Sequence, residues 1–277
     1  MYYQIDPNHI EEAQDNINSD LTSLAQWAKD RALILNPKKT VSLLLGTPQQ
    51  RKKVLQRNFQ IVVSGMAIPI DDHARNLGLQ IDSNLKFSKH IQNLRASSFN
   101  KLRSLNKFKN LLPTSVKLSL SSSLIISKLD YCDVVYGPNL SVEDSSLLQK
   151  VQNACIRYSY SDLKWRDHVT PVIRKAGWLK MEERRTLHLQ CITHNILLTS
   201  KPMYLKEKLK KRSSAHSVNI RHRDKLCILS HKLSKFKSSF SYAAAHHYNN
   251  VPDEMKNLSK VHFKKCMKTF SIAQFKE

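Results

Sequence analysis

The apolar residues of this chain change period twice, and those two changes limit the fold more than any single motif. From residue 8 to residue 32, Ile10, Ala13, Ile17, Leu21, Leu24 and Ala28 recur at helical spacing, with Glu11, Glu12 and Asp15 near the start, where the helix dipole favours acids. At Asn36-Pro37 the pattern breaks, and Val41, Leu43 and Leu45 alternate with their neighbours as a strand does, predicting a strand over VSLLLG. A basic loop, QQRKK, is expected next. It leads into FQIVVSGMAIPID, whose Ser64-Gly65 between β-branched runs predicts a hairpin, and NLGLQID predicts a second short strand pair. From Ser88 the helical period returns through Ile91, Leu94, Phe99, Leu102, Leu105 and Leu112, until Pro113 ends it.

Thr114 is placed to cap a following helix that runs to Leu129, and Ser141-Val-Glu-Asp144 resembles a capping box opening a third. KMEERRTLHLQCITHNILL is a further amphipathic helix. KEKLKKRSSAHS, at 206–217, reads as a charged, mobile linker, and the chain then returns to mixed apolar and basic helix. Only 5 glycines and 9 prolines in 277 residues argue for long helices and against a sandwich or a Gly-rich nucleotide-binding sheet. The expected class is α+β and helix-rich, in three regions: 1–88, 89–160 and 161–277.

Charge bounds the partner. With 45 Lys+Arg against 22 Asp+Glu, the formal net charge is +23, more than solubility requires, and it points to a polyanion. Residues 1–100 hold 12 basic and 9 acidic side chains, which leaves 33 and 13, net +20, beyond residue 100. RNA or DNA is the expected partner. A membrane is disfavoured, since the lysines are spread over several helices and runs such as SLLLG and SLIIS are too short to span a bilayer. Five cysteines, at 132, 155, 191, 227 and 266, form no CxxC pair, which with the absence of a secretory signal at MYYQIDPNHI leads to an expected intracellular location, nuclear or cytoplasmic.

The order of elements, and not only their type, resembles the final part of the reverse transcriptase of non-LTR (LINE-type, jockey-like) retrotransposons. The residues that carry it are Asp20-Leu21, Trp27-Ala28, Leu35-Asn36-Pro37, Lys39-Thr40, and Arg75-Asn76-Leu77-Gly78-Leu79 with Asp82, Leu85 and His90. SKLDYC at 127–132, Leu148-Gln149 with Gln152-Asn153, GWL at 177–179, and YNNVP at 248–252 followed by Phe263-Lys264-Lys265 continue it in the same order over nearly the whole chain. The resemblance implies a small antiparallel palm remnant with a primer grip, a helical thumb and a basic helical C-terminal region.

It also implies roles. Lys39, in the LNPKKT turn, corresponds to a palm lysine near the incoming nucleotide's phosphates, a possible general acid toward departing pyrophosphate in an intact palm; a solvated turn lysine is the plain alternative. Arg75, Asn76, Leu77 and Gly78 correspond to the primer grip, and Lys101, Arg103, Lys107 and Lys109 to thumb residues that follow phosphates without reading sequence. At Gly78 the missing side chain would admit a nucleic-acid backbone or relieve crowding between strands. The family's enzyme uses Mg²⁺ held by carboxylates of an early strand and a Tyr-Ala-Asp-Asp-like hairpin, and this sequence corresponds to the part after that hairpin. No cofactor is therefore expected here, and the chain alone is expected to be inactive. The functional expectation is a reverse transcriptase fragment that retains primer–template binding. The alternatives are a nucleic-acid-binding or scaffolding protein derived from it, and one piece of a longer, intact polymerase.

Other residues that invite a chemical role have plainer readings. Asp71-Asp72 reads as a turn before the RNLGL strand, not as a substitute metal pair. Cys191, His194, Cys227 and His231 offer four zinc ligands, but the gap between the pairs is long and the first pair falls within one helix, so structural or surface roles are expected. Trp165, Trp178 and the C-terminal tyrosines are expected as anchors between helices more than as base-stacking platforms.

Overall fold

A computed structural model of the chain describes residues 1–164, 166–215 and 223–273. Trp165 and the end of the expected linker, His216-Ser217, lie outside them. The architecture is α+β and dominated by helix, with two compact units, Met1–His90 and Ile91–Glu277. Among the described residues no helix is long and apolar enough to cross a membrane.

In the first unit, helix α1 (Ile10–Lys29) buries Ile10, Ile17 and Ala28, as its period requires. A 3₁₀ turn at Pro37–Lys39 leads to strand β1, which spans only Ser42–Leu43, shorter than the alternation at 41–46 predicted. The length of a strand is set by its partner, and β1 pairs in parallel with β4 (Ile70–Asp71), itself two residues long. The expected basic loop at 49–53 is instead part of helix α2 (Pro48–Leu55). Thr47 accepts from the Gln50 N–H at 3.3 Å and Gln50 Oε1 accepts from the Thr47 N–H at 3.3 Å, a capping box with Pro48 at the first helical position.

Both predicted hairpins are present. β2 (Ile61–Val63) pairs with β3 (Met66–Ile68) across Ser64-Gly65, and β5 (His73–Asn76) pairs with β6 (Leu79–Asp82) across Leu77-Gly78. Both turn residues of each hairpin have positive φ: 49° and 80° in the first, 46° and 89° in the second. That is the requirement of a two-residue turn of the primed kind, and glycine meets it without strain. The flank of β2 is closed by α1 side chains. Gln14 Oε1 accepts from the Gln60 N–H at 2.7 Å, and Asn18 Oδ1 accepts from the Val62 N–H at 2.9 Å. Beneath them Ile10, Ile17, Val54 and Phe59 form a small core.

Helix α3 (Ser88–Asn106) stops before its sequence pattern does; residues 107–110 turn, although Leu112 still falls on the helical period. Helix α4 (Thr114–Ser121) starts with Thr114 already inside it and Pro113 at the cap position, so Thr114 does not serve as the cap. A π-helical turn, Ser122–Ile126, joins it to α5 (Ser127–Asp130), and Cys132, at φ 57°, breaks the chain before α6 (Asp133–Tyr136). Ser141 caps α7 (Val142–Ser159) as expected, its Oγ accepting from the Asp144 N–H at 3.0 Å.

After α8 (Thr170–Lys175), Gly177 at φ 68° closes the helix: its N–H reaches the Arg174 carbonyl at 2.8 Å and the Trp178 N–H reaches that of Ile173 at 3.0 Å. Helix α9 (Met181–Thr199) is central, packing against α6, α7, α10 (Met203–Lys206), α12 (Phe240–Asn249) and α13 (Lys260–Ala273). The expected mobile linker is folded onto this core as far as it is described. Leu209 is buried together with Leu226, Lys211 bridges to Leu226, and Arg212–Ala215 form helix α11.

Candidate nucleic-acid interface

The β5–β6 hairpin gathers four of the sequence-selected residues at one tip. Arg75, Asn76, Leu77 and Gly78 are all exposed there, Leu77 at 85 %. Gly78 has a local reason to be glycine, the left-handed conformation of the turn, distinct from both the close approach of a ligand and the relief of strand crowding. Next to the turn Leu79, paired with Asn76, is buried, so one side chain anchors the tip while the rest of it stands in solvent.

The connection from this hairpin to α3 is held by one carboxylate. Asp82 accepts from the N–H groups of Asn84 at 3.0 Å, of Lys86 at 3.0 Å and of Phe87. Leu85 and Phe87 both sit at positive φ, 53° and 61°, which β-carbons disfavour, and the carboxylate bonds hold them there. Partial burial opposes ionisation of Asp82, but the backbone donors of Lys86, Phe87 and Asn84 outweigh it and hold its pKa below the ordinary aspartate value. His90, a turn further on, is buried, which lowers its pKa, and its Nδ1 faces the Gln80 N–H at 3.5 Å. The residues 82, 85 and 90 thus belong to the connection that starts α3.

Beside this loop, Arg51 reaches across from α2. Its guanidinium donates to Asp72 Oδ1 at 3.0 Å, to Asn84 Oδ1 at 3.1 Å and to the Ser83 hydroxyl, along one side of a cleft of about 290 Å³ that His73, Lys86 and Lys89 also line. Sequence reasoning missed Arg51 by reading 49–53 as a loop. The signal was present in Thr47-Pro48 followed by Gln50.

Lys38 and Lys39 are exposed in the 3₁₀ turn, which packs beside β3. In the second unit Lys101 and Arg103 are exposed on α3, about 200° apart around its axis, so they do not share one face. Lys107 and Lys109 lie past the end of the helix, in the turn at 107–110, and not on the helix as expected. A row of phosphate contacts along one side of α3 is therefore not what these four residues offer; they spread around its C-terminal end.

The acidic pair that the sequence offers, Asp71-Asp72, is not laid out as a metal pair. Asp71 ends β4, and Asp72 is bound to Arg51 and accepts from Ser83 Oγ at 3.0 Å. Among the described residues, Asp130, Asp133 and His188 form the one group close enough to share a metal, within 4.8 Å of one another. Arg184 already compensates both Asp130 oxygens as a bidentate ion pair, and His188 Nδ1 lies 2.6 Å from Asp133 Oδ2. Burial pushes the Asp133 pKa up and the His188 bond opposes it. This is a latch that ties the SKLD segment to α9.

His194 is likewise committed. The Leu258 carbonyl, which only accepts, lies 2.8 Å from Nε2, so Nε2 carries the proton and the Tyr248 hydroxyl donates to Nδ1 at 2.9 Å. The ring stacks on Phe263 at 3.9 Å, and burial lowers its pKa despite the Leu258 bond. Other motif residues of this unit do similar work. Gln152 is buried and donates to the Leu179 carbonyl at 2.8 Å; Gln149 accepts from the Met181 N–H at 3.0 Å; Asn249 accepts from and donates to the Leu226 backbone at 2.8 and 3.0 Å. No family model, no curated protein and no solved structure matches this chain.

Proposed function

We propose that the chain corresponds to the part of a non-LTR retrotransposon reverse transcriptase that follows the catalytic strands, and that it holds a primer–template duplex by its phosphates. The observation that carries this is the β5–β6 tip: an arginine, an asparagine and a glycine turn stand in solvent beside a buried Leu79, on a hairpin whose exit is pinned by Asp82. A rigid backbone turn with one cation and one amide is suited to the end of a strand more than to its length. The net +20 beyond residue 100 supplies the sequence-independent attraction such binding needs. Lys39 belongs to the same proposal as a phosphate-side cation, with no role in this chain beyond charge.

The second reading, a nucleic-acid-binding or scaffolding protein without chemistry of its own, is favoured by one observation. Asp72, Asp130 and Asp133 are already committed to Arg51, Arg184 and His188. The two readings part on whether the tip senses a primer end. Binding of a duplex with a recessed 3′ end is compared with that of a blunt duplex of equal length, for the chain and for Arg75→Gln/Leu77→Ala. A loss confined to the recessed duplex is the expected result. Equal losses on both would leave the tip as general charge and favour the scaffold.

A further inference from the structure

On the second unit lies a run of rings that neither reading uses. His231, Phe236, Tyr242 and His246 come from the segment before the 3₁₀ turn Ser234–Ser238, from that turn, and from α12. His231 stacks on Phe236 with 5.5 Å between centroids and meets the edge of Tyr242 at 5.1 Å. Tyr242 in turn stacks on His246 at 5.8 Å, with only 13° between the planes.

Helix α12 allots its side chains in an unusual way. Its core side is made by Ala243, Ala244 and Tyr248, all buried, whereas Tyr242 and His246, one turn apart, are half-buried and exposed. His231, Phe236 and Tyr242 are half-buried where the 3₁₀ turn packs on α12, so each keeps part of its ring in solvent alongside the exposed His246. Their surroundings are cationic. Lys232, Lys235 and Lys237 are exposed beside them, and no acidic residue occurs between Lys225 and Pro252. Flat π faces with lysines beside them in a stretch of chain that carries no acid match the chemistry of unpaired bases on a polyanionic backbone.

We infer that the His231–Phe236–Tyr242–His246 ladder is a stacking surface for single-stranded nucleic acid, with Lys232 and Lys237 on the neighbouring phosphates. It rests on the reading that this chain handles nucleic acid, but assigns a separate surface and a separate substrate form. Duplex bases already stack on one another and offer the ladder no free face; a single strand does.

The test uses the full chain and fluorescence anisotropy with a labelled 20-nucleotide oligothymidylate and a blunt duplex of that length, over a salt series. Tyr242→Ala/His246→Ala is expected to weaken single-strand binding about tenfold or more while leaving the duplex unchanged. The salt slope on the single strand should also stay, because stacking releases no counterions, whereas Lys232→Gln/Lys237→Gln should flatten it by about 1.4. Tyr242→Phe keeps the ring and should keep the affinity; Tyr242→Leu keeps the bulk alone and should lose it. Thermal melts confirm that each variant is folded.

Retained affinity in Tyr242→Leu would overturn the inference in favour of an apolar contact of the sort a protein partner makes. Equal losses on duplex and single strand would overturn it too. If the unaltered chain binds neither nucleic acid, the proposed function fails with it; if it binds duplex normally and the ladder variants bind single strand normally, only the ladder fails.

Discussion

Replacing Asp82 by alanine tests the loop on which the hairpin depends. The carboxylate serves three backbone N–H groups, and a hydrogen bond to a charged acceptor contributes about 1.5–3 kcal/mol net. The three are not worth three times that. Asn84 and Lys86 are exposed, so water takes over their N–H groups, while Phe87 is buried and its N–H is left without the partner it has. The strain at Leu85 and Phe87 is present with or without the carboxylate, so it adds nothing to the cost and only makes the loop readier to relax once the bond is gone. The expected cost is about 1.5–3 kcal/mol for Asp82→Ala. For Asp82→Asn, which keeps one acceptor oxygen, about 1 kcal/mol is expected.

Amide hydrogen exchange at Lys86 and Phe87 reads this locally, without assuming that the two units unfold together. Because the folded pKa of Asp82 is depressed, its contribution is complete above the ordinary aspartate pKa and is lost as pH falls through the lower folded value. Exchange should therefore rise below about pH 4 in the unaltered chain and show no such step in Asp82→Ala. If Asp82→Ala changes the exchange free energy by less than about 0.5 kcal/mol, the carboxylate does not hold the loop, and Leu85 and Phe87 keep their positive φ for some other reason.

Three further outcomes are expected. Changing Lys101, Arg103, Lys107 and Lys109 to Gln should flatten the salt dependence of primer–template binding by roughly one to three units, since Lys101 and Arg103 do not face one duplex together, and an unchanged slope would place these side chains away from phosphate. The chain by itself should incorporate no nucleotide on a primed RNA template with Mg²⁺; incorporation that survives Lys39→Ala and disappears in Asp71→Ala would reverse the dismissal of Asp71-Asp72. Limited proteolysis should cut within 1–88 before it cuts within 89–160, since two-stranded sheets beside a small core open more easily than packed helices; the opposite order would mean that Gln14 and Asn18 close the first unit more firmly than its core implies.

What the sequence disclosed followed from whether the deciding interaction was local. Both hairpins were legible because Ser64-Gly65 and Leu77-Gly78 carry their turn chemistry within two residues, and Ser141 was legible as a cap because its partner lies three residues on. Helix α2 was hidden behind its charge, since Arg51, Lys52 and Lys53 resemble a loop unless the capping box is read first. The true end of α3 was hidden by Leu112, which continues the period after the backbone has turned. Leu209 could not have been found locally: it is one apolar residue among lysines, and what buries it is a core that includes Leu226 and α9. The same distance hid the Asp130–Arg184 latch, whose partners are 54 residues apart.

The residues that carry the resemblance then divide by what they touch. In the second unit Gln149, Gln152, Gly177, Tyr248 and Asn249 are occupied with the chain's own backbone and side chains, so the motifs there describe a fold and not a chemistry. At the hairpin tip Arg75 and Asn76 are exposed side chains that contribute little to packing, and a function assigned to the motifs has to be sought at such positions. The division has a consequence for any mutational survey of the chain. Gln152→Ala strips a buried carbonyl of its donor and should appear first as lost stability, about 1–3 kcal/mol, with binding falling only as the folded fraction falls. Arg75→Gln should do the opposite, leaving the melting transition in place while recessed-end binding weakens. If Arg75→Gln lowered stability and binding in proportion, the tip would belong with the scaffold, and the exposed charge at the end of the hairpin would need another explanation.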